Sequence, residues 1–223
     1  MVQNIDFEPS NRFLHDYVAE QFAAPEGLAG QLMATAMRII NWLPYRAAFR
    51  RLSVGADDDV LEVGFGPGSG LRKLTRLACR GTVFGIDRSK TMVSIAAARN
   101  EASITARTLK IAEGSFEALP MPDCSVDTIL AVNILYFVDP LEKALAEAYR
   151  VLKPGGRFVA YATNHSHMGW LQFNGSVTRN IFTNQSLRDV LTSSDFGALP
   201  VAIHSVWLPF GFRGIVAVAT RAE

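Results

Sequence analysis

Four glycines and a proline take five of the seven positions that follow an apolar strand in "VLEVGFGPGSG" (residues 60–70), and one carboxylate, Glu62, lies inside that strand. Glycines directly after a strand let the backbone approach a ligand closely, and the N-terminus of the next helix offers that ligand unpaired N–H groups. Such a turn suits a nucleotide or nucleoside. Asp87, 23 positions after Gly64 and at the end of the next apolar run, adds the second part of the pattern. An acidic side chain there can accept both hydrogen bonds of a ribose diol, which an apolar residue cannot. Two histidines in "TNHSHMGW", His165 and His167, follow the fifth apolar run and are placed to serve as a general base near neutral pH. Their H-x-H spacing has no third ligand type beside it, so no metal is expected.

The elements that must position these residues follow a regular rhythm. Apolar runs suited to buried parallel strands are "VLEVG" (60–64), "TVFGI" (82–86), "TLKIA" (108–112), "VDTILAVN" (126–133) and "RFVAYA" (157–162). Between them, 70–79, 89–102 and 140–152 repeat apolar residues at three- and four-residue spacing, the period of an amphipathic helix. Strand and helix alternating in this way predict a parallel sheet covered on both faces. A further helix is expected over 184–197, capped by Asn184 or Ser186. After it, "VAIHSVWL" (201–208) and "GIVAVAT" (214–220) are joined by five residues, too few for a parallel crossover, so they should form an antiparallel hairpin. The sheet is then seven strands, mostly parallel, with one reversed strand near an edge. Residues 10–51 look helical and are not needed by any sheet, which divides the chain into a helical lid over 1–51 and an α/β domain over 52–223.

Composition narrows the function classes. With 223 residues, 49% of them apolar, the chain can bury a core of ordinary size. Twenty-two basic side chains against twenty-one acidic ones leave a formal charge of +1, so no global field collects nucleic acid. No apolar run is long enough for a membrane span and no basic-then-apolar leader opens the chain, so a cytoplasmic protein is expected. Cys79 and Cys124 form no C-x-x-C pair and suggest neither a disulfide framework nor a zinc site.

A dinucleotide is one candidate ligand. Gly64, Gly68 and Gly70 fit G-x-x-x-G-x-G, and Tyr149 with Lys153 forms Y-x-x-x-K, together imitating a short-chain dehydrogenase. Some sixty residues precede the glycines, however, and Pro154 and Gly155 stop the helix at Lys153, where a catalytic Tyr–Lys pair needs it to continue. Ser69 also stands where the third glycine of G-x-G-x-x-G belongs. Tyr149 therefore reads as a packing residue.

The order of four segments resembles another family. "VLEVGFGPG", "GIDRSKTMV", "AEGSFEALPMPDCSVDTILAVNILYFVDP" and "ALAEAYRVLKPGG" are similar, in sequence and spacing, to the motifs of class I S-adenosylmethionine-dependent methyltransferases of the small-molecule group. The resemblance covers about 58–162 and implies a Rossmann-like, doubly wound sheet with S-adenosyl-L-methionine as cofactor. It implies that Glu62, Gly64, Gly66 and Gly68 surround the methionine part and that Asp87 binds the ribose. Arg88 and Met92 would flank the adenosine, Gly114, Ser115 and Phe116 would border the adenine, and Asn133, Ile134 and Tyr136 would close over the methyl group. The family usually has aspartate where this chain has Ser115, so the adenine amino group would be held by the hydroxyl or by backbone. Methyl transfer is an in-line displacement in which alignment and exclusion of water can do most of the catalysis, with His165 or Tyr136 as the candidate catalytic groups. Tyr17, Met37, Tyr136, His165 and Trp170 are the candidate acceptor contacts, from an aromatic and methionine-rich set that favours an apolar or aromatic small molecule. "NILY" lacks the prolines that orient an exocyclic amine in nucleic-acid methyltransferases. A protein that binds an adenosyl ligand without catalysis has the same motifs.

Overall fold

The computed structural model describes residues 27–164 and 180–223. Two helices, α1 (Gly27–Ile40) and α2 (Trp42–Phe49), precede β1 (Val60–Val63), α3 (Ser69–Leu77), β2 (Val83–Asp87), α4 (Lys90–Arg99), α5 (Glu101–Thr105) and β3 (Leu109–Glu113). The second half runs β4 (Val126–Val132), α6 (Leu141–Val151), β5 (Leu152–Thr163), α7 (Asn184–Thr192), β6 (Ala202–Trp207) and β7 (Arg213–Thr220). The seven strands form one sheet in the order β3-β2-β1-β4-β5-β7-β6. β7 is antiparallel to both β5 and β6, and the remaining pairs are parallel, as the short "PFGFR" connection requires.

Period-two alternation in the central strands sorts their side chains into two cores. Leu61, Ile129, Ala131, Phe158 and Ala160 join one cluster, which takes in Ala144, Leu145 and Ala148 of α6 and Leu187 and Leu191 of α7. Val60, Leu130, Val132, Val159 and Tyr161 join the other, with Leu71 and Leu74 of α3 and Ala47 and Ala48 of α2. Each fully buried Leu, Ile or Phe in these layers contributes about 1.5–3 kcal/mol relative to exposure. Glu62 shares the parity of Val60 and so faces the α2–α3 layer, a carboxyl among hydrocarbon.

Besides the helix expected over 184–197, which ends at Thr192, three boundaries differ from the sequence expectation. The helix expected over 89–102 is interrupted at Asn100, whose side-chain Nδ2 donates to the Ala96 carbonyl at 2.9 Å, and α5 starts afresh beyond it. The helix expected to run to 152 stops at Val151, and "LKPGG" opens β5 as an irregularity: Val126 pairs with Leu152 but Thr128 pairs with Arg157. Tyr149 and Lys153 therefore share no helix. Tyr149 packs edge-on against Phe196 with ring centroids 5.2 Å apart, and Lys153 Nζ bonds Asp127 at 2.7 Å, which removes the dehydrogenase pair. The third difference is the cap of α7, which is Thr183 and not Asn184 or Ser186. Thr183 forms a capping box with Ser186 at N3.

Candidate active site

Strand order reverses between β1 and β4, and in open α/β sheets that switch point opens a crevice beyond the carboxyl ends of the strands. Here it is a cavity of about 820 Å³, within the usual range for small-molecule sites. The glycine turn forms its floor. Gly64 has φ +64° and a Cβ there would overlap Ile134 Cδ1, so only glycine lets the chain turn this close to the end of β4. Above Gly66, the nearest atom to a hypothetical Cβ is Met37 Sδ at 4.0 Å, so the open space is the cavity itself.

Asp87, at the end of β2, holds this floor in place. Its Oδ2 accepts the Gly66 N–H at 2.8 Å and its Oδ1 accepts the Ser89 N–H at 2.9 Å, while Ser89 in turn caps α4. Burial raises its pKa, and the two N–H bonds and the Arg88 guanidinium oppose that rise. Each oxygen keeps a lone pair for a further donor.

Among the residues expected at the site, Gly64, Gly66, Asp87, Arg88 and Met92 line the cavity. So do Gly114, Ser115, Phe116, Asn133 and Ile134, together with Met37 from the expected acceptor set. Three others stand behind the wall. Gly68 faces α4, where a Cβ would come within 2.8 Å of Ala96 Cβ and of Asn100 Nδ2. Glu62 is fully buried, accepts a hydrogen bond from the Tyr45 hydroxyl on Oε1, and has no partner on Oε2. Burial pushes its pKa up to about 8; the bond from Tyr45 opposes the rise and the nearby Asp87 charge adds to it. Tyr136 is the third. Its hydroxyl accepts the Thr163 N–H and donates to Asn133 Oδ1 at 3.1 Å, and burial raises its pKa so that the phenol keeps its proton. Tyr136 thus sets the orientation of Asn133 from behind, where the sequence reading had put it over the methyl group. Tyr17, His165 and Trp170 lie outside the described residues, as does His167.

The wall facing the glycine turn was foreseen only in part: Trp42 and Tyr45 belong to the aromatic set of the N-terminal helices, while Asn41, Arg46 and Phe49 were missed. It comes from the end of α1 and from α2: Asn41, Trp42, Tyr45, Arg46 and Phe49 line the cavity beside Met37. Asn133 Nδ2 donates to Asn41 Oδ1 at 2.8 Å across 92 positions of sequence. The aromatic density of this segment was visible, but nothing local marks Asn41. Glu117 was also missed. It lines the cavity two residues after Ser115, whose hydroxyl donates to its carboxylate.

A protein-family model described as "Methyltransferase domain" matches residues 61–160. The chain is 30% identical over 131 residues to YdaC of Bacillus subtilis, an uncharacterized methyltransferase, covering 58% of this chain and 67% of that protein. The chain belongs to the class I S-adenosylmethionine-dependent methyltransferases. S-adenosyl-L-methionine is accordingly its cofactor. It is also 40% identical over 121 residues to the demethylmenaquinone methyltransferase of Tropheryma whipplei (strain Twist), covering 54% of this chain and 48% of the relative. The chain thus spans about half the length of that relative. Among solved structures it is similar to a methyltransferase of Haloferax volcanii in complex with the Trm112 methyltransferase activator. The TM-score is 0.76 at 24% identity, over 93% of this chain and 99% of that one. A methyltransferase from Aquifex aeolicus matches with a TM-score of 0.65 at 18% identity, over 96% of this chain and 99% of that one. At these identities the likeness is one of fold. Among the described residues of this methyltransferase, no helix is long and apolar enough to cross a membrane.

Proposed function

We propose that the protein transfers the methyl group of S-adenosyl-L-methionine to a small apolar or aromatic acceptor, with both molecules held between the glycine turn and the α1–α2 segment. One observation carries this reading: a single cavity has a nucleoside-type wall, with Asp87 and the Gly64–Gly66 turn, and an opposite wall carrying Met37, Ile39, Trp42 and Phe49. The two walls need different ligands. Asp87 takes the ribose diol on its remaining lone pairs, and Ile86, Met92 and Phe116 supply apolar surface for the base. Glu117 offers a carboxylate to the adenine amino group, where the family usually has one two positions earlier.

The bound cofactor supplies a sulfonium methyl, whose positive charge is lost as the nucleophile attacks. The chain's own residues align and dry the reaction. Asn133, held by Asn41, Tyr136 and Thr163, and Ile134, packed over Gly64, fix the end of β4 beside that wall. Alignment of two bound reactants is worth several powers of ten in rate, so a positioned side-chain base is not obligatory. Among the described residues that line the cavity there is no histidine. The relatives named demethylmenaquinone methyltransferases support an aromatic acceptor.

Labelled S-adenosylmethionine offered to the purified chain with a panel of quinols, phenols, hydrophobic amines, charged hydrophilic metabolites and nucleic acid tests the proposal. Label should move to the apolar and aromatic members. Transfer only to charged acceptors or nucleic acid, or tight cofactor binding with no transfer to any acceptor, would overturn it.

A further inference from the structure

Two hydrogen bonds join the α1–α2 segment to the residues that shape the cofactor wall: Tyr45 to Glu62, and Asn133 to Asn41. Neither is explained by the needs of the local fold. Asn41 stands between α1 and α2 with helical backbone angles (φ −85°, ψ −2°), not the extended ones that turn an N-cap side chain back onto its own helix. Its side chain makes no cap bond and is spent on Asn133 instead. Tyr45 places its ring on the cavity and its hydroxyl on a fully buried carboxyl. Room for that pair exists because residue 70 is glycine: a Cβ there would overlap the Glu62 carboxyl and come within 2.6 Å of Tyr45 Cε1. Glu62 Oε2 is left without a partner, an arrangement costly enough that buried polar groups seldom show it.

We propose that Tyr45 and Asn41 are cofactor-positioning residues, forming a clasp through which α1 and α2 close on the base of the glycine turn and the end of β4, so that cofactor binding and docking of this segment are one coupled event. The inference rests on the cofactor reading given above. Tyr45 is the direct link, since a ligand that packs on its ring also holds its hydroxyl on Glu62. Asn41 docks against a rigid partner, because Asn133 Oδ1 is already fixed by Tyr136 and by Thr163 Oγ1 at 3.1 and 3.3 Å. Any ligand that orders one side of the clasp lowers the entropic cost of ordering the other, and the coupling is reciprocal.

The test uses the full chain with S-adenosylhomocysteine as the probe, in calorimetry and in hydrogen exchange. Tyr45→Phe removes one hydroxyl, Asn41→Leu removes the acceptor, and Asn41→Asp keeps an acceptor for Asn133. Tyr45→Phe and Asn41→Leu should each weaken binding about five- to tenfold, the worth of one buried hydrogen bond. Asn41→Asp should lose less affinity than Asn41→Leu, since Asn133 keeps its acceptor. The probe should slow amide exchange across 34–49 in the wild type and in Asn41→Asp, and do so less in the other two variants. Unchanged affinity together with unchanged ligand-induced protection in Tyr45→Phe and Asn41→Leu would overturn the clasp, since a purely structural contact lowers stability without altering the response to ligand. Exchange of 42–49 without ligand separates the two claims: it should be faster in Tyr45→Phe than in wild type even if no chain binds the probe. Failure of the wild type to bind would sink the cofactor reading, and equal unliganded exchange would sink the clasp.

Discussion

Asp87 and Glu62 are both buried carboxyls near the glycine turn, and their surroundings give them different work. Asp87 is met by two backbone N–H groups, which favour its charged form against the desolvation that opposes it. Replacing it with alanine removes the support of Gly66 as well as the acceptors for the ribose. A charge-assisted hydrogen bond contributes about 1.5–3 kcal/mol, so affinity for S-adenosylhomocysteine should fall at least tenfold in Asp87→Ala. An unchanged dissociation constant in calorimetry would mean that the aspartate does not face the ribose. Glu62 has only a tyrosine hydroxyl to offset complete burial, and its pKa rises to about 8 in the folded chain. Its unfolded value is near 4.3, so between those limits the folded state binds more protons than the unfolded one. The stability that this group contributes is fully present below about pH 4.3 and is lost as pH rises through about 8, with a slope approaching 1.4 kcal/mol per pH unit. Denaturant midpoints measured from pH 5 to pH 9 without ligand should therefore fall more steeply in wild type than in Glu62→Gln. Parallel profiles would show that Glu62 does not take up a proton on folding.

At the scale of elements, the alternation of strands and helices and the reversed strand were legible in the sequence, while several boundaries and the Thr183 cap of α7 were not. Five apolar runs became β1 to β5, the inner four because strands buried on both faces carry near-continuous hydrophobic sequence and β3 as a largely exposed edge strand, and the five-residue connection fixed the reversed β7. The misplaced boundaries have physical causes invisible to periodicity. Asn100 ends α4 with its own side chain, and "LKPGG" pairs with β4 across an irregularity even though proline and two glycines look like a loop. The same limit applies to the site. The glycine turn and Asp87 are 21 to 23 positions apart within one strand-helix-strand unit, so spacing alone brings them together. Asn41 and Asn133 are 92 positions apart and meet only because α1 and α2 fold across the carboxyl ends of the strands. Tyr136 shows the opposite error: its place after β4 suggested a reacting group, but its hydroxyl is committed to Thr163 and Asn133. Helices ahead of the first strand make no crossover; they pack against α4, β4, β5 and β7, and Ile39 and Trp42, which line the cavity, stay exposed. The expected lid over 1–51 is thus carried forward as the clasp proposal for its described part, α1 and α2.

At the scale of the whole molecule, a net charge of +1 hides an uneven distribution. Residues 27–56 hold four arginines and no carboxylate, and two of these arginines, Arg38 and Arg46, stand at the cavity wall. The acidic groups at the cavity come instead from the sheet side, Asp87 at the end of β2 and Glu117 after β3. The proposal puts the cofactor on the sheet side, where both carboxylates of the lining stand beside Arg88 and Lys73, and the acceptor on the apolar and basic α1–α2 side. The central claim is the identity of the ligand on the sheet side, and calorimetric titration of the full chain with S-adenosylmethionine, S-adenosylhomocysteine and NADPH tests it most directly. The account predicts saturable one-to-one binding of both adenosyl compounds and no measurable heat from NADPH; saturable binding of NADPH with no response to either adenosyl compound would contradict it.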